Sequence, residues 1–179
     1  MRINSYASTG QAIQAPFTFY YVRDNDWSDS HSYQFWNKNF TTAVGANNEV
    51  TLKTIYSPSP SGYVEPKTAA FTGFTSTGGN THNSSQYNIS GNYNRGWNFY
   101  TNGWKTGNTF FFAAIGFRDV YSGRSGTGAV DFDGEDGSFW EVGASSISNG
   151  CVLNIGSGYV SPHNGNARSF GYFCWAVRE

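Results

Sequence analysis

Turn-forming residues recur every few positions from end to end of the chain, and no stretch shows the apolar periodicity of a long helix. Gly alone accounts for 22 of the 179 residues, and it is interleaved with Asn, Ser and short aromatic runs. Chains punctuated in this way form many short strands joined by long loops. The length is within the range of one domain and is enough to bury a core, so we predict a single domain over residues 1–179.

Aromatic side chains make up 18% of the residues, whereas charged side chains make up only 13%. Core and surface therefore both use Phe, Tyr and Trp, and surface polarity comes from Asn, Ser, Thr and Gly. The formal net charge is -1 and the basic residues are scattered, so we expect no nucleic-acid partner. No apolar run approaches the length of a bilayer-spanning helix, and we expect no membrane insertion.

The two cysteines, Cys151 and Cys174, show neither metal nor redox spacing. Both lie in predicted strands of the same sheet, which leaves a disulfide open, but two lone cysteines are more often buried free thiols. The first residues lack the apolar stretch of a signal peptide. We therefore expect either that an export signal was trimmed or that the protein reaches the outside as part of a particle.

Three segments give more local predictions. Residues 16–22 begin with Pro and continue with β-branched and aromatic residues, which predicts a strand, and we expect it to pair with the C-terminal strand. Residues 75–94 form a Ser, Thr, Asn and Gly run without an apolar period, which indicates a surface excursion. Residues 95–105 bring three large aromatic side chains back and predict strand and turn, with Trp97 in the core.

Five motifs follow one another in a fixed order along the chain. They are KTIYSPSPSGY at 53–63, FFAAIGFR at 111–118, GEDGSFW at 134–140, NGCVLNI at 149–155, and RSFGY at 168–172 ahead of the final VRE. This order resembles the Fibrobacter-succinogenes-type major paralogous domain, which is found in surface and fimbria-associated proteins of Bacteroidetes. The resemblance covers residues 53–179, and the first fifty residues fit it more loosely.

The resemblance implies an α+β, C-type-lectin-like fold with small antiparallel sheets, one or two short helices and long loops. In that fold the chain termini pair in one small sheet. The Pro-rich motif precedes a short helix in the family, which implies a helix from Pro66 to about Phe74. Variable proteins of diversity-generating retroelements, in Bacteroidetes or their phages, use this fold to bind ligands and catalyse nothing.

The ligand surface implied by the resemblance consists of the loops after Trp140 and the hairpin around Gly158, which would face outward. Ser and Asn groups around rigid aromatic rings are typical of binding surfaces. Tyr159, Phe170 and Trp175 are candidate anchors, although Tyr159 and Phe170 could equally be strand residues that face the core. The candidate ligand-binding residues are Glu141, Ser146, Ser148, Asn149, Asn154, Tyr159, Ser161, His163, Asn166, Ser169, Phe170 and Trp175.

Charged residues inside the motifs have other expected roles. Arg118 and Arg168 are expected to be framework residues that donate to backbone carbonyls rather than to a ligand. Residues 131–137 fail the EF-hand pattern, so a solvated acidic loop is favoured, and calcium is the less favoured alternative. We expect no other cofactor. The side chains that would hold calcium are Asp131, Asp133, Glu135 and Asp136.

These observations predict a non-catalytic ligand-binding domain, an adhesin or receptor-binding protein whose C-terminal loop surface is diversified by a retroelement. Its expected location is extracellular, on a bacterial cell or a phage virion, and its expected partner is an unidentified surface protein or glycan. One alternative is a structural tip subunit of a pilus or phage tail. Another is a formylglycine-generating-type enzyme, which would use Cys151 and Cys174, but nothing nearby indicates a lowered thiol pKa.

Overall fold

The computed structural model describes residues 1–22, 26–121, 126 and 128–179. Helix within these residues is confined to α1 (Thr9–Gln14) and two short 3₁₀ helices (Thr72–Phe74 and Ser84–Gln86). All other regular secondary structure in the described residues is β-strand. The strands are β1 (Arg2–Ile3), β2 (Phe19–Tyr20), β3 (Tyr63–Val64), β4 (Ile89–Ser90), β5 (Gly96–Tyr100), β6 (Thr109–Ala113), β7 (Ile115–Arg118), β8 (Val130–Asp133), β9 (Asp136–Ala144), β10 (Asn149–Gly156), β11 (Tyr159–Ala167), β12 (Phe173–Cys174) and β13 (Val177–Arg178).

The molecule is therefore β-rich, with small antiparallel and mixed sheets and almost no helix. The prediction of small sheets and many short strands is confirmed, while the helical share is lower than an α+β class implies. The C-type-lectin-like assignment stays a prediction. In the described part of the chain, no helix combines the length and apolar character needed to cross a membrane.

The largest sheet has the strand order β11-β10-β9-β7-β8, with β12 pairing parallel to β9. Strands β9, β10 and β11 form an antiparallel meander, and their residues are buried along most of their length. An exposed turn at Ser157 and Gly158 joins β10 to β11. This turn is the hairpin that the sequence predicts around Gly158.

Two β-bulges interrupt the meander. On β9, residues 141–143 stand opposite Cys151, because the flanking register pairs are Trp140 with Val152 and Ala144 with Gly150. On β11, residues 162–163 stand opposite a single residue of β10. Residue 162 is a proline, which has no N–H to donate to a ladder and is therefore suited to a bulge. Bulges re-aim side chains, and these two turn neighbouring polar residues toward one another.

The hydrophobic core lies between this sheet and the antiparallel sheet β4-β5-β6. Phe112 on β6 is its centre. Its ring centroid lies 5.0 Å from that of Phe74 and 5.6 Å from that of Phe139, and it stacks on Trp175 at 5.1 Å. Trp97 is buried in the same cluster, as the sequence predicts.

Two local predictions are wrong, and a third holds only in part. The strand at 19–20 pairs parallel with β1, and the C-terminal strand β13 pairs with β3, so the chain termini do not share a sheet. The predicted helix at 66–74 is reduced to turns and three 3₁₀ residues, because its backbone N–H groups bond carbonyls three residues back and not four. The predicted surface excursion at 75–94 is mostly exposed, but it contains Tyr87, whose side chain is fully buried in the core.

The Pro-rich loop is held by two charged side chains from its flanks. The Lys53 ammonium donates to the carbonyls of Ser59, Pro60 at 2.6 Å and Tyr63 at 2.9 Å. The buried Glu65 carboxylate accepts hydrogen bonds from the hydroxyls of Ser57 and Ser59. The Pro-rich loop over 53–63 is therefore held by hydrogen bonding from both of its sides.

We expect Phe112→Ala to lower the free energy of unfolding by about 3–5 kcal/mol, because it removes the ring at the centre of the aromatic core. The matched control is Phe111→Ala on the opposite face of β6, whose side chain is 44% exposed and should cost less than about 1 kcal/mol. Chemical denaturation measures both values. Equal losses for the two variants would contradict the central position of Phe112.

Lys53→Met removes a charged donor from three loop carbonyls, and we expect it to cost about 1.5–3 kcal/mol of stability. Lys38→Met, at an exposed side chain, is the control and should be near neutral. Urea titration of the two variants gives the comparison. A near-neutral Lys53→Met would show that the prolines alone fix the loop.

An aromatic cleft and a buried Glu-His-Cys cluster

The twelve candidate ligand-binding residues do not share one outward surface. Strand β9 continues through Trp140 to Ala144, so no loop begins there. The predicted outward orientation is wrong for four residues, because the central strands that carry or flank them are covered on both faces. These four, with their exposed fractions, are Glu141 (0%), Asn154 (9%), Ser161 (8%) and Ser169 (1%).

The other candidates are partly buried and fall into separate places. Ser146, Ser148 and Asn149 form the β9–β10 turn, where the Ser146 hydroxyl accepts from the other two backbone N–H groups. Asn166 donates to the Tyr172 hydroxyl at 2.9 Å. Trp175 joins the core around Phe112, and the Tyr159 ring lies 6.0 Å from that of His82. Only two pairs of candidates meet in a recognisable site, Ser169 with Phe170 and Glu141 with His163.

Ser169 and Phe170 line a cavity of about 570 Å³, which we call the aromatic cleft. Its walls come from the N-terminal part of the chain, from the Pro-rich loop and from β9 and β10. Helix α1 and Ile55 contribute exposed apolar side chains at its edge, including Ile13. The aromatic residues that line it are Phe19, Tyr20, Trp27, Tyr33, Phe35, Trp36, Tyr56, Trp140 and Phe170.

Ring packing holds the walls of the cleft in place. Trp27 stacks on Phe35 with centroids 5.7 Å apart, and Trp36 meets Trp140 edge to face at 5.9 Å. Aromatic pairs with these geometries are favourable beyond the area that they bury. The cleft is thus bounded by rings whose positions are fixed by other rings, so its shape is largely set before any ligand binds.

Arg168 lies at the base of the cleft. Its guanidinium donates to Asp26 Oδ2 at 3.1 Å and to the Ile147 carbonyl at 2.9 Å, and it lies 5.3 Å from the centroid of Phe35. Burial lowers the pKa of Arg168, and the adjacent Asp26 carboxylate offsets part of this shift. Arg168 and Arg118 both donate to backbone carbonyls as predicted, Arg118 to that of Gly128 at 3.1 Å. That neither contacts a ligand stays a prediction.

A polar atom in the cleft wall lacks a partner. The Ser169 side chain is 1% exposed, and its hydroxyl makes no hydrogen bond to the described part of the protein. Buried polar groups in folded proteins are nearly always paired, and exceptions call for an explanation such as a bound ligand. The cleft is therefore lined by apolar ring faces and by a serine whose buried hydroxyl has no hydrogen-bond partner among the described residues.

The second group of candidates is a buried cluster, Glu141 with His163, to which Cys151 on β10 adds a thiol. His163 Nδ1 lies 2.8 Å from Glu141 Oε2, and the other carboxylate oxygen, Oε1, has no hydrogen-bond partner among the described residues. Burial raises the pKa of Glu141 to about 7, against the opposing effect of His163. Burial also raises the pKa of Cys151 to about 12, and the Glu141 carboxylate adds to this shift.

The cysteines are free, as the favoured prediction states. Cys151 lies in β10 and Cys174 in β12, which are strands of one sheet. Burial raises the pKa of Cys174 to about 12 as well. Neither thiol is therefore ionised near neutral pH, and a thiolate nucleophile needs the opposite environment.

The acidic loop is split between two strands. Asp131 is buried on β8, whereas Asp133 is exposed and its carboxylate accepts from Arg95 at 2.6 Å. Glu135 and Asp136 follow at the turn into β9. The ion pair with Arg95 favours the solvated acidic loop, and calcium binding stays an untested alternative.

The N-terminal contribution to the cleft was missed at the sequence level. Asp26 is fully buried, and Trp27, Phe35 and Trp36 form one wall of the cavity. The available signal was the density of aromatic residues over 27–36 beside an acidic residue. These aromatic residues show no apolar period, so the pattern indicated that they belong to the core and not that they line a cavity.

Comparison with protein-family models, with curated proteins and with solved structures found no match to this chain.

We expect Arg168→Met to lower the free energy of unfolding by about 3–5 kcal/mol, because it leaves the buried Asp26 carboxylate with the Ser28 N–H and His31 as its partners among the described residues. Adding Asp26→Asn should recover part of this loss in a double-mutant cycle. The control is Arg95→Met, which breaks the exposed pair with Asp133 and should cost less than about 1 kcal/mol. Strictly additive losses in the cycle would show that the two buried charges are not coupled.

Proposed function

We propose that this protein is a non-catalytic ligand-binding domain whose aromatic cleft holds a neutral sugar unit of a surface glycan. The observation that carries the proposal is the cavity of about 570 Å³ with aromatic walls. A pyranose ring has apolar C–H faces that pack against aromatic rings and hydroxyl groups that pair at its edge. Pockets of this size and composition are typical of small-ligand sites.

The charges in the cleft favour a neutral ligand. Arg168 is the cation at its base, and its guanidinium is already paired with Asp26 and with backbone carbonyls. An anionic ligand would have to compete with the buried carboxylate for the same donors. A neutral ligand leaves this pair intact and gains its affinity from stacking on the rings and from hydrogen bonds to tyrosine hydroxyls.

The same proposal includes the family of the protein and the place where it is displayed. The motif order supports a C-type-lectin-like variable protein displayed on a bacterial cell or a phage virion, and the β-rich architecture is compatible with it. A non-catalytic role is supported by the raised pKa of both thiols, since Cys151 and Cys174 are the residues that a formylglycine-generating-type enzyme would use.

A specific feature of β6 favours a second candidate, the structural subunit of a pilus or phage tail. Strand β6 is an edge strand of its sheet within the described residues, and it exposes Phe110 and Phe111. A second cavity of about 840 Å³ lies beside it and is lined by Trp104 and Trp175. An edge strand with exposed aromatic side chains can accept a strand from a neighbouring subunit.

Titration of the protein with neutral oligosaccharides is expected to change its tryptophan fluorescence, because Trp27, Trp36 and Trp140 line the cleft. We expect Trp27→Ala and Phe170→Ala to weaken binding at least about tenfold, a change of about 1.4 kcal/mol. Isothermal titration calorimetry gives the affinities. The matched control is Trp104→Ala, which removes a tryptophan outside the aromatic cleft and should leave the affinity unchanged.

The same titrations separate the two candidates. Loss of binding in the folded cleft variants, with the Trp104→Ala variant unaffected, supports the sugar site. A folded protein that binds none of the glycans contradicts it. Loss of self-association or of subunit capture on Phe111→Ala, with the cleft variants unaffected, favours the structural role.

A further inference from the structure

The cluster of Glu141, Cys151 and His163 lies on three adjacent strands, β9, β10 and β11. One ligand-type atom from each side chain lies within 4.8 Å of the other two. Two β-bulges produce this convergence, because one re-aims the residues after Trp140 and the other re-aims His163 beside Pro162. Side chains on three paired strands are held more precisely than side chains on loops.

The polar atoms of the cluster are not satisfied by one another. Glu141 is fully buried, and its Oε1 atom has no hydrogen-bond partner among the described residues, although Oε2 is within hydrogen-bond distance of His163. Within the part of the chain that the structure describes, the hydrogen bond given for Cys151 is a long one of 3.9 Å from Sγ to the Val44 carbonyl. A buried carboxylate with an unused oxygen is costly unless something positive lies beside it.

We propose that Glu141, Cys151 and His163 bind one Zn²⁺ ion. Zinc takes this mixed set of carboxylate oxygen, thiolate sulfur and imidazole nitrogen, whereas calcium and magnesium prefer oxygen ligands alone. Ligand atoms around tetrahedral zinc lie about 3.3–3.6 Å apart. Small side-chain rotations from the present spacing reach that value, with the ion taking the place of the proton between His163 Nδ1 and Glu141 Oε2.

The charges balance when the ion is bound. Two positive charges from Zn²⁺ meet one negative charge from the Glu141 carboxylate and one from the Cys151 thiolate, while His163 stays neutral. The Cys151 thiol proton and any proton on Glu141 leave to solvent on binding. The buried centre is then neutral overall, which removes most of the penalty for placing charged groups in the interior.

The fourth position of the ion is reached from the side of His163. Its side chain is 19% exposed, whereas the side chain of Glu141 is fully buried. A water molecule can complete a tetrahedron from that side, as is common when the protein supplies three ligands. This inference goes beyond the proposed function, since none of the three side chains lines the aromatic cleft.

The test is zinc titration of chelator-treated protein, with Zn²⁺ alone as the probe and competition against a chromophoric chelator as the readout. We expect one ion per chain, an affinity that falls as pH falls, and a raised Tm in the presence of zinc. Loss of an outer-shell partner already costs about 10–100-fold in metal affinity, so loss of a ligand should cost at least about 100-fold. Cys151→Ser and His163→Ala are the ligand variants.

Controls make the result specific to this cluster. His82→Ala and Cys174→Ser change the same residue types elsewhere and should leave the stoichiometry and affinity unchanged. Glu141→Gln keeps the side-chain shape, so its circular dichroism spectrum should match that of the unsubstituted protein while its zinc affinity falls. Co²⁺ substitution gives a second readout, because a thiolate-to-cobalt charge-transfer band should be present in the parent protein and absent in Cys151→Ser.

Either of two outcomes overturns the proposal. One is the absence of stoichiometric zinc binding by the folded parent protein, which would leave a buried hydrogen-bonded pair beside a thiol. The other is zinc binding that the control variants abolish and the ligand variants retain. Sugar binding by the aromatic cleft is measured separately, so failure of the zinc site leaves the proposed function standing.

Discussion

Strands β9 and β10 are buried along nearly their whole length and β11 mainly in its first half, so the rest of the chain has to supply two covering layers. One layer is the sheet β4-β5-β6 with Phe112 at its centre. The other contains Trp36, which meets Trp140 edge to face, and Tyr172. Gly150 leaves room for the Trp140 ring on this face, because a Cβ at that position would lie 2.6 Å from the ring. The two layers place the core on one face and the aromatic cleft on the other.

The burial of these strands has a consequence for the polar residues in and next to them. Each must find a partner inside the protein or leave an atom unpaired at a cost of about 1–3 kcal/mol. Arg168 pairs with Asp26 and backbone carbonyls, and His163 pairs with Glu141. The Ser169 hydroxyl and Glu141 Oε1 have no partner among the described residues, and neither do Asn149 Oδ1 and Asn154 Oδ1. Glu141 Oε1 differs from the others in that it belongs to a carboxylate beside a thiol and an imidazole.

The parts of the fold that could be predicted are those that depend on residues close together in sequence. The turn at Gly158, the strand around Trp97 and the framework role of Arg168 follow from turn residues, aromatic runs and motif position. The helix at 66–74, which the family resemblance implies, does not form, because the local hydrogen bonds close after three residues instead of four. The predicted partner of the C-terminal strand was also wrong, since nothing near the end of the chain specifies β3 as the partner of β13.

The candidate site was harder to predict because it depends on register. Alternation along a regular strand assigns each residue to a face, but the bulges shift that assignment for the residues after Trp140 and around Pro162. The prediction also placed a loop after Trp140 and Glu141 outward in it, whereas β9 continues to Ala144 and Glu141 is fully buried. The cleft depends on Trp27 and Phe35, which reach it from a distant part of the chain that no period connects to β10.

Both sites draw on the same strands. Gly150 lines the aromatic cleft, and the next residue along β10, Cys151, belongs to the buried cluster. Val142 and Glu141 are neighbours in the same way on β9. A substitution that distorts the backbone of either strand therefore disturbs both sites at once. A loss of function after such a change does not show which site is responsible. Side chains that reach only one site, such as Phe170 in the cleft and His163 in the cluster, are the positions at which the two roles can be told apart.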